Sequence, residues 1–373
     1  MQPLIKWAGG KSGELPVIRE NLPEKINRYI EPFVGGGAVF FGLKPEKALI
    51  NDLSEELIDL YECVRDGDFL FFDTIHSLYG NFRKIDALTD SFAEELLSLY
   101  GDLGKSRSGA ASGKTRSAAS VDTNTDDRVR AFLKKHGKQI REIGAVSPTA
   151  FRKEAERAMA DKLRRAAKLE KKKKMPEKDR IASLEAALKG AYYTVVRSLY
   201  NAKKGNRGYR TACFYFVREY CYSSMFRYNA KGAFNVPYGG ISYNRKKFEK
   251  KIAQLESSEM RKLLENTEIR NLDFEAFLKE VKPKKGDFIF LDPPYDSEFS
   301  TYCQNPFDKE AQRRLCDCLK KTKASVMLVI RDTPYIRSLY EKDFKIREYD
   351  KNYLVSFKNR NKRNVNHLMI TNY

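Results

Sequence analysis

Histidine is nearly missing from this chain, with three among 373 residues, at positions 76, 136 and 367. Six cysteines, at 63, 213, 221, 303, 316 and 318, form no CxxC pair, and Cys316 and Cys318 flank a single aspartate. Neither set has the spacing of a zinc site, so a protein-built metal centre and a His- or Cys-centred mechanism are both disfavoured. The expected state of the cysteines is buried free thiols in a reducing compartment. The chain has no apolar run of about 18 residues, which excludes a membrane-spanning helix. Its start, MQPLIKWAGGK, lacks the basic segment and long apolar run of a signal peptide. A soluble cytoplasmic protein with no membrane partner is expected. WAGGKS at 7–12 also fails as a phosphate loop, because Ile5 stands where that motif needs its first glycine. Lys11 is left as a cation of unassigned role beside two glycines.

Positive charge is abundant. The net charge of +20 implies a polyanionic partner, nucleic acid ahead of a membrane surface. Residues 101–190 hold 24 Lys+Arg against 12 Asp+Glu, and residues 191–250 hold 12 against 2, which leaves the rest of the chain at −2. All the excess lies in one central block, as expected if one region grips phosphates and another performs chemistry.

The pattern along the chain is α/β. YIEPFV (29–34) reads as a strand leading into a glycine turn and helix (35–43), KALIND (47–52) as a second strand, and 54–64 as a helix capped by Ser54. Residues 61–100 are helical. Residues 101–127 are rich in Gly, Ser, Ala and Thr and are expected to be loosely ordered. Charged helices follow at 150–174 and 177–201, the first ending in KKKK, a solvated helix end. Residues 191–240 are dense in aromatic and basic residues; most rings belong to a core, but MFRYNAKGAFNVPYGG (225–240) reads as a functional loop. RKKFEK (245–250) reads as a solvated helix start. The α/β pattern resumes with strands at 268–274, 287–292, 324–330, 344–350 and 367–373, and helices at 275–281, 308–322 and 333–342. Strands alternating with helices on both sides of a basic insertion predict one doubly wound sheet, interrupted in sequence.

Two stretches carry chemistry. In EPFVGGGAVF, consecutive glycines let the backbone approach a ligand, although Phe40 replaces the last glycine of the dinucleotide pattern. Asp52, ending the next strand, suits an acid for ribose hydroxyls or a helix cap. The second stretch is LDPPY, Asp292-Pro293-Pro294-Tyr295, at the end of a central strand where open α/β sheets bind ligands. The prolines fix the backbone, so one carboxylate and one carbonyl are aimed rigidly. Two such acceptors around an exocyclic amine would localise its lone pair, with Tyr295 stacked on the ring. Direct in-line attack on an activated methyl group would need only orientation and electrostatics.

WAGGK, EPFVGGGAVF, the acid after the second strand, FNVPYG, LDPPY and a closing HLMITNY occur here in one order. That order resembles the DNA adenine-N6 methyltransferases of the Dam type, over residues 1–65 and about 190–373. The resemblance implies a Rossmann-like S-adenosylmethionine-dependent methyltransferase sheet with a mainly helical, basic target-recognition insertion. It places the catalytic domain at 1–60 plus 266–373 and the DNA-binding region at 61–265, with a low-complexity basic insertion at about 101–190. It implies cofactor contacts from Trp7, Lys11, Phe33, Gly35, Gly37, Asp52, Asp273, Phe274 and Asp292. Asp273 would equally serve as a helix cap, and Trp7 as core. Catalysis falls to Asp292, Pro293, Pro294 and Tyr295. Contacts to double-stranded DNA, with base flipping, fall to Arg207, Arg210, Arg227, Tyr228, Asn229, Lys231, Asn235 and Tyr238. No metal is expected. A monomer is expected, with room for a companion restriction endonuclease. Cytosine-N4 methylation in DNA, adenine methylation in RNA, and a basic DNA-binding module without catalysis remain as alternatives.

Overall fold

The computed structural model describes residues 1–7, 9–101, 118–170, 172–294, 307–352 and 364–373. The chain divides into two compact units, residues 1–68 with 253–373, and residues 69–252.

In chain order the first unit opens with α1 (Leu15–Glu20), β1 (Tyr29–Glu31), α2 (Ala38–Leu43), β2 (Ala48–Asn51) and α3 (Glu55–Asp66). The second unit holds α4 (Phe69–Ser91), α5 (Ala93–Ser98), α6 (Ala118–Lys135), α7 (Gly137–Ile143), α8 (Pro148–Glu170), α9 (Glu177–Asn201) and α10 (Arg207–Tyr220). After α11 (Glu249–Leu255), the first unit resumes with α12 (Ser258–Glu265), β3 (Thr267–Arg270), α13 (Phe274–Val281), β4 (Phe288–Leu291) and α14 (Lys309–Lys321). It closes with β5 (Ser325–Arg331), α15 (Pro334–Tyr340), β6 (Lys345–Asn352) and β7 (Asn364–Thr371).

Among the described residues the sheet has seven strands in the order β3-β2-β1-β4-β5-β7-β6. β1 to β5 are parallel, and β7 runs antiparallel between β5 and β6. Strands β1, β2 and β4 are buried at every residue, the signature of a parallel sheet covered on both faces. Phe277, Leu315, Leu319, Ile336 and Tyr340, from α13 to α15, cover one face over Ile30, Ile289 and Leu328. On the other face Tyr29 meets Phe40 of α2 at 6.4 Å between ring centroids. Strand order runs outward in opposite directions from β1 and β4. The crevice beyond their C-terminal ends is therefore the topological switch point, where ligands bind in such sheets.

The second unit is helical, with α8 on α9, α4 on α10 and α6 on α8. Its core is aromatic, as expected: Phe82, Tyr192, Phe216, Tyr220 and Phe248 interlock at 4.4–6.4 Å. Ion pairs are buried beside it. Lys189, fully buried, reaches Asp86 at 2.5 Å and Glu185 at 3.1 Å. Glu219 takes Lys246 at 2.8 Å and Lys251 at 2.5 Å.

Three readings need correction. The strand expected at 268–274 stops at Arg270, and Asp273 caps the following helix. The loosely ordered segment expected at 101–127 is helical from Ala118; residues 102–117 lie outside the described residues. The first unit runs to residue 68 and resumes at 253, rather than at 60 and 266, because α3 and α12 pack on each other and on β3. RKKFEK does lie at a helix start, with α11 opening at Glu249 and Arg245, Lys247 and Lys250 exposed; Arg245 also grips Asp90 and Glu185 at 2.9 and 3.0 Å, and half-buried Lys246 grips Glu219. The lysine run after α8 does follow a helix end, with Lys172–Lys174 exposed; Lys171 lies outside the described residues.

Burial pushes the Glu219 carboxyl up, but the ammonium groups of Lys251 and Lys246 outweigh it and hold the group below its usual value. A depressed carboxyl stabilises the fold above its unfolded-state titration and loses that contribution as pH falls. Glu219→Gln is therefore expected to cost about 2 kcal/mol at pH 7. Thermal melts across pH should show the gap to the parent closing as the pH drops below the ordinary carboxylate range.

Candidate active site at the switch point

The glycine turn after β1 needs all three of its glycines. Gly35 and Gly37 have φ of +50° and +77°, a region that side chains other than glycine's rarely adopt. Gly36 is required for space: a methyl group there would run into the Ile5 carbonyl. The Trp7 indole lies against Gly35, so that a Cβ on Gly35 would come within 2.8 Å of its ring. The Tyr61 hydroxyl donates to the Gly35 carbonyl at 3.0 Å, and the Leu4 amide to that of Gly36 at 3.0 Å.

Asp52 follows β2 and faces this turn. Its Oδ2 accepts from the Gly35 amide and its Oδ1 from the Ser54 amide, both at 3.0 Å. Burial raises its carboxyl, and the amides of Ser54, Gly35 and Leu53 oppose the rise. A carboxylate has about four lone-pair sites, so two amide bonds leave acceptor capacity for ribose hydroxyls. Asn51 ties three strand ends together: its Nδ2 donates to the carbonyls of Pro32 and Leu272 at 3.0 and 2.9 Å, and its Oδ1 accepts from the Leu272 amide.

Phe33, Phe274 and Phe307 form an aromatic box, with centroids 5.4–5.6 Å apart. Phe33 and Phe307 are half-buried, whereas Phe274 is buried. Asp273 accepts from the Glu275 amide at 3.0 Å and from Arg314 at 2.7 Å, and the Arg314 guanidinium lies 4.9 Å over the Phe274 ring. The cap role weighed for Asp273 is thus observed.

Asp292 follows β4, which lies beside β1. Its Oδ1 pairs with Nζ of Lys11, a lysine only 1% exposed that also donates to the Gly9 carbonyl at 3.1 Å. Pro293 is buried and Pro294 exposed, and Gln312 of α14, buried, donates to the Pro294 carbonyl at 3.4 Å. Tyr295 lies outside the described residues. Close by is an acid that sequence reasoning passed over. Glu31 is buried and accepts from the Tyr29 hydroxyl at 2.8 Å. Burial, reinforced by Asp292 and Asp52 against the Tyr29 bond, holds its carboxyl well above the usual range.

The structure thus brings Trp7, Lys11, Gly35, Gly37, Asp52 and Asp292 around the ends of β1, β2 and β4, with Phe33 and Phe274 in the box. A glycine cradle, a ribose acid and an aromatic box fit a nucleoside-bearing cofactor. Of the residues missed, Glu31 opens the EPFVGGGAVF stretch and Asn51 directly precedes Asp52, whereas Tyr61, Phe307 and Gln312 carry no local motif. Among the described residues five cysteines are free and four of these, Cys63, Cys213, Cys221 and Cys316, are buried.

In the second unit, residues 227–235 fold back as a tight hairpin. Tyr228 bridges Phe234, and Asn229 Oδ1 accepts from the Lys231 and Ala233 amides. Arg227 donates to Asn235 Oδ1 at 2.8 Å. Asn201 of α9 clamps both the amide and the carbonyl of Phe234, at 2.9 and 3.0 Å. Arg227, Asn229 and Lys231 are exposed; Tyr228 and Asn235 are half-buried. Arg207 and Arg210, half-buried, lie on the first turn of α10 behind the Asn206 cap. Tyr238 is half-buried. Its ring packs on Phe82, Tyr193 and Tyr243, and its hydroxyl donates to Asn244 at 3.2 Å.

The family described as D12 class N6 adenine-specific DNA methyltransferase matches residues 7–99 and 152–355. The chain is 27% identical over 383 residues to the type II methyltransferase M1.LlaDCHI of Lactococcus lactis subsp. cremoris, covering all of this chain and 96% of that protein. It is 26% identical over 381 residues to the type II methyltransferase M.CviBI of Paramecium bursaria Chlorella virus NC1A, covering both chains fully. It is 35% identical over 111 residues to the DNA adenine methylase of Haemophilus influenzae, 26% of this chain and 39% of that one.

Gly36→Ala should destabilise the first unit by about 2 kcal/mol, since the colliding atom is a backbone carbonyl. Gly13→Ala, where a Cβ meets nothing within 4 Å, should change stability by less than about 0.5 kcal/mol. Denaturant titration of both variants checks the contrast.

Proposed function

Because this chain belongs to the D12 class N6 adenine-specific DNA methyltransferase family, we propose that its acceptor site is Asp292 with the backbone of Pro293 and Pro294. The enzyme transfers a methyl group from S-adenosylmethionine to N6 of adenine in DNA. The observation that carries the site assignment is the position of Asp292. It stands at the switch point, next to the glycine turn and paired with Lys11. Cytosine N4, RNA and a module without catalysis fall away as alternatives to this activity.

When bound, S-adenosylmethionine supplies an electrophilic methyl group. The chain's own residues do the rest. Trp7, Gly35 and Gly37 shape the cradle, Asp52 accepts from the ribose hydroxyls, and Phe33 and Phe274 flank the adenine, with Asp273 capping the helix that Phe274 opens. Asp292 and the Pro293 carbonyl accept hydrogen bonds from the target amine, which draws its lone pair out of conjugation. Tyr295 is assigned the stacking face. Lys11 offsets the charge of Asp292 inside a nearly closed site. An adenine within a duplex cannot reach Asp292, so the reaction requires extrusion of the base.

The second unit is assigned target recognition, and residues 1–68 with 253–373 the transfer itself. Arg227, Tyr228, Asn229, Lys231 and Asn235 on the hairpin, with Arg207 and Arg210, contact the duplex; Tyr238 holds the hairpin's base. We further assign the enzyme to the cytoplasm, as a monomer with room for a companion restriction endonuclease. Among the described residues no helix is long and apolar enough to cross a membrane.

Incubation with labelled S-adenosylmethionine and unmethylated duplex DNA, followed by nucleoside mass spectrometry, tests the assignment. The parent should yield N6-methyladenine, and Asp292→Ala should lower the transfer rate by at least about 1,000-fold while duplex binding survives. Undiminished transfer by Asp292→Ala would remove Asp292 from the mechanism. Asp52→Ala should weaken cofactor binding on the order of tenfold by calorimetry, with the duplex affinity unchanged.

A further inference from the structure

We propose that a cluster of buried Glu14 and His367 with half-buried Tyr349 positions Lys11 against Asp292, an inference that rests on the site assignment above. HLMITNY, the closing motif of the sequence, has no part in the chemistry so far described. Its first residue, His367, is fully buried on β7. The His367 Nδ1 lies 3.2 Å from Oε2 of Glu14, and the hydroxyl of Tyr349 on β6 donates to the same oxygen. Tyr349 and His367 are direct cross-strand partners, with rings 6.0 Å apart. Glu14 is itself 5% exposed. Residues from opposite ends of the chain thus meet on one carboxylate.

Glu14 and Lys11 close a single turn, the Glu14 amide donating to the Lys11 carbonyl at 2.9 Å. Whatever holds the Glu14 carboxylate therefore holds the root of the Lys11 side chain. Register places the cluster at the same sheet edge as the acceptor site. His367 pairs with Arg331 at the end of β5, and β5 lies beside β4, where Leu291 precedes Asp292. A four-carbon side chain anchored only at Gly9 would sample several rotamers. One anchored at its own turn presents the ammonium at a fixed distance from Asp292. Small displacements of a positioned group cost large factors in rate. His367, Glu14 and Tyr349 are positioning residues: none of them touches the reacting atoms.

Two variants of His367 separate hydrogen bonding from packing. His367→Asn keeps a donor near the Nδ1 position, and His367→Leu fills the space without one. Single-turnover methyl transfer at saturating cofactor and DNA should fall on the order of tenfold in His367→Leu and return to within about threefold in His367→Asn. Acetylation of Lys11, followed by peptide mass spectrometry, should accelerate in the leucine variant and not in the asparagine variant. If His367→Leu unfolds, Tyr349→Phe removes the other bond and gives the same two readouts. Equal protection of Lys11 in parent and His367→Leu, or equal impairment of the two His367 variants, would overturn the proposal. Failure of the site assignment itself would appear differently, as full transfer by Asp292→Ala.

Discussion

One ion pair joins the first turn of the chain to the end of its central strand. Lys11 and Asp292 are 281 residues apart in sequence, and both are largely withdrawn from water. Burying two charges is costly unless each satisfies the other, and removing either partner leaves an uncompensated charge. The pair is therefore weak as a general stabiliser but strong as a constraint, since it is favourable only when both segments are in place. The glycine turn, packed against Trp7 and Ile5, depends on the same N-terminal segment. The glycine turn and Asp292 are thus held in one arrangement by one stretch of about ten residues.

Sheet topology explains why this arrangement falls where it does. Parallel strands aim their C-terminal ends the same way, and the order reverses between β1 and β4. Residues following β1, β2 and β4 converge there without any of them being adjacent in sequence. Asn51 then closes the gaps between strand ends with three hydrogen bonds. The second unit solves a different problem. Its exposed hairpin is made rigid from behind by Asn201, with Tyr193 and Arg197 both donating to the Val236 carbonyl at 2.9 Å.

Much of this was legible in the sequence. Gly35–Gly37, Asp52 and LDPPY are local patterns whose residue types have few other uses in that order, and alternating strands and helices foretold the doubly wound sheet. What escaped notice was long-range. Glu31 and Asn51 lie inside stretches already singled out, yet the roles of Asn51, Phe307 and Gln312 come from partners brought close only by folding. The basic run at 245–250 is exposed at a helix start, as read, but its acidic partners, Asp90, Glu185 and Glu219, are distant in sequence and carried no signal. Tyr238 lies half-buried in the loop read as functional, its ring against Phe82, Tyr193 and Tyr243. Asp273 showed the ambiguity in miniature: strand end and helix cap were both readable, and the cap governs the geometry.

The most direct test of the account is the coupling free energy between Lys11 and Asp292. Denaturant unfolding of Lys11→Met, Asp292→Asn and the double variant closes a thermodynamic cycle. A coupling of about 1–3 kcal/mol is expected for a charge pair held out of water. Additive effects, with coupling below about 0.3 kcal/mol, would show that the two ends of the chain do not depend on each other and would contradict the central claim.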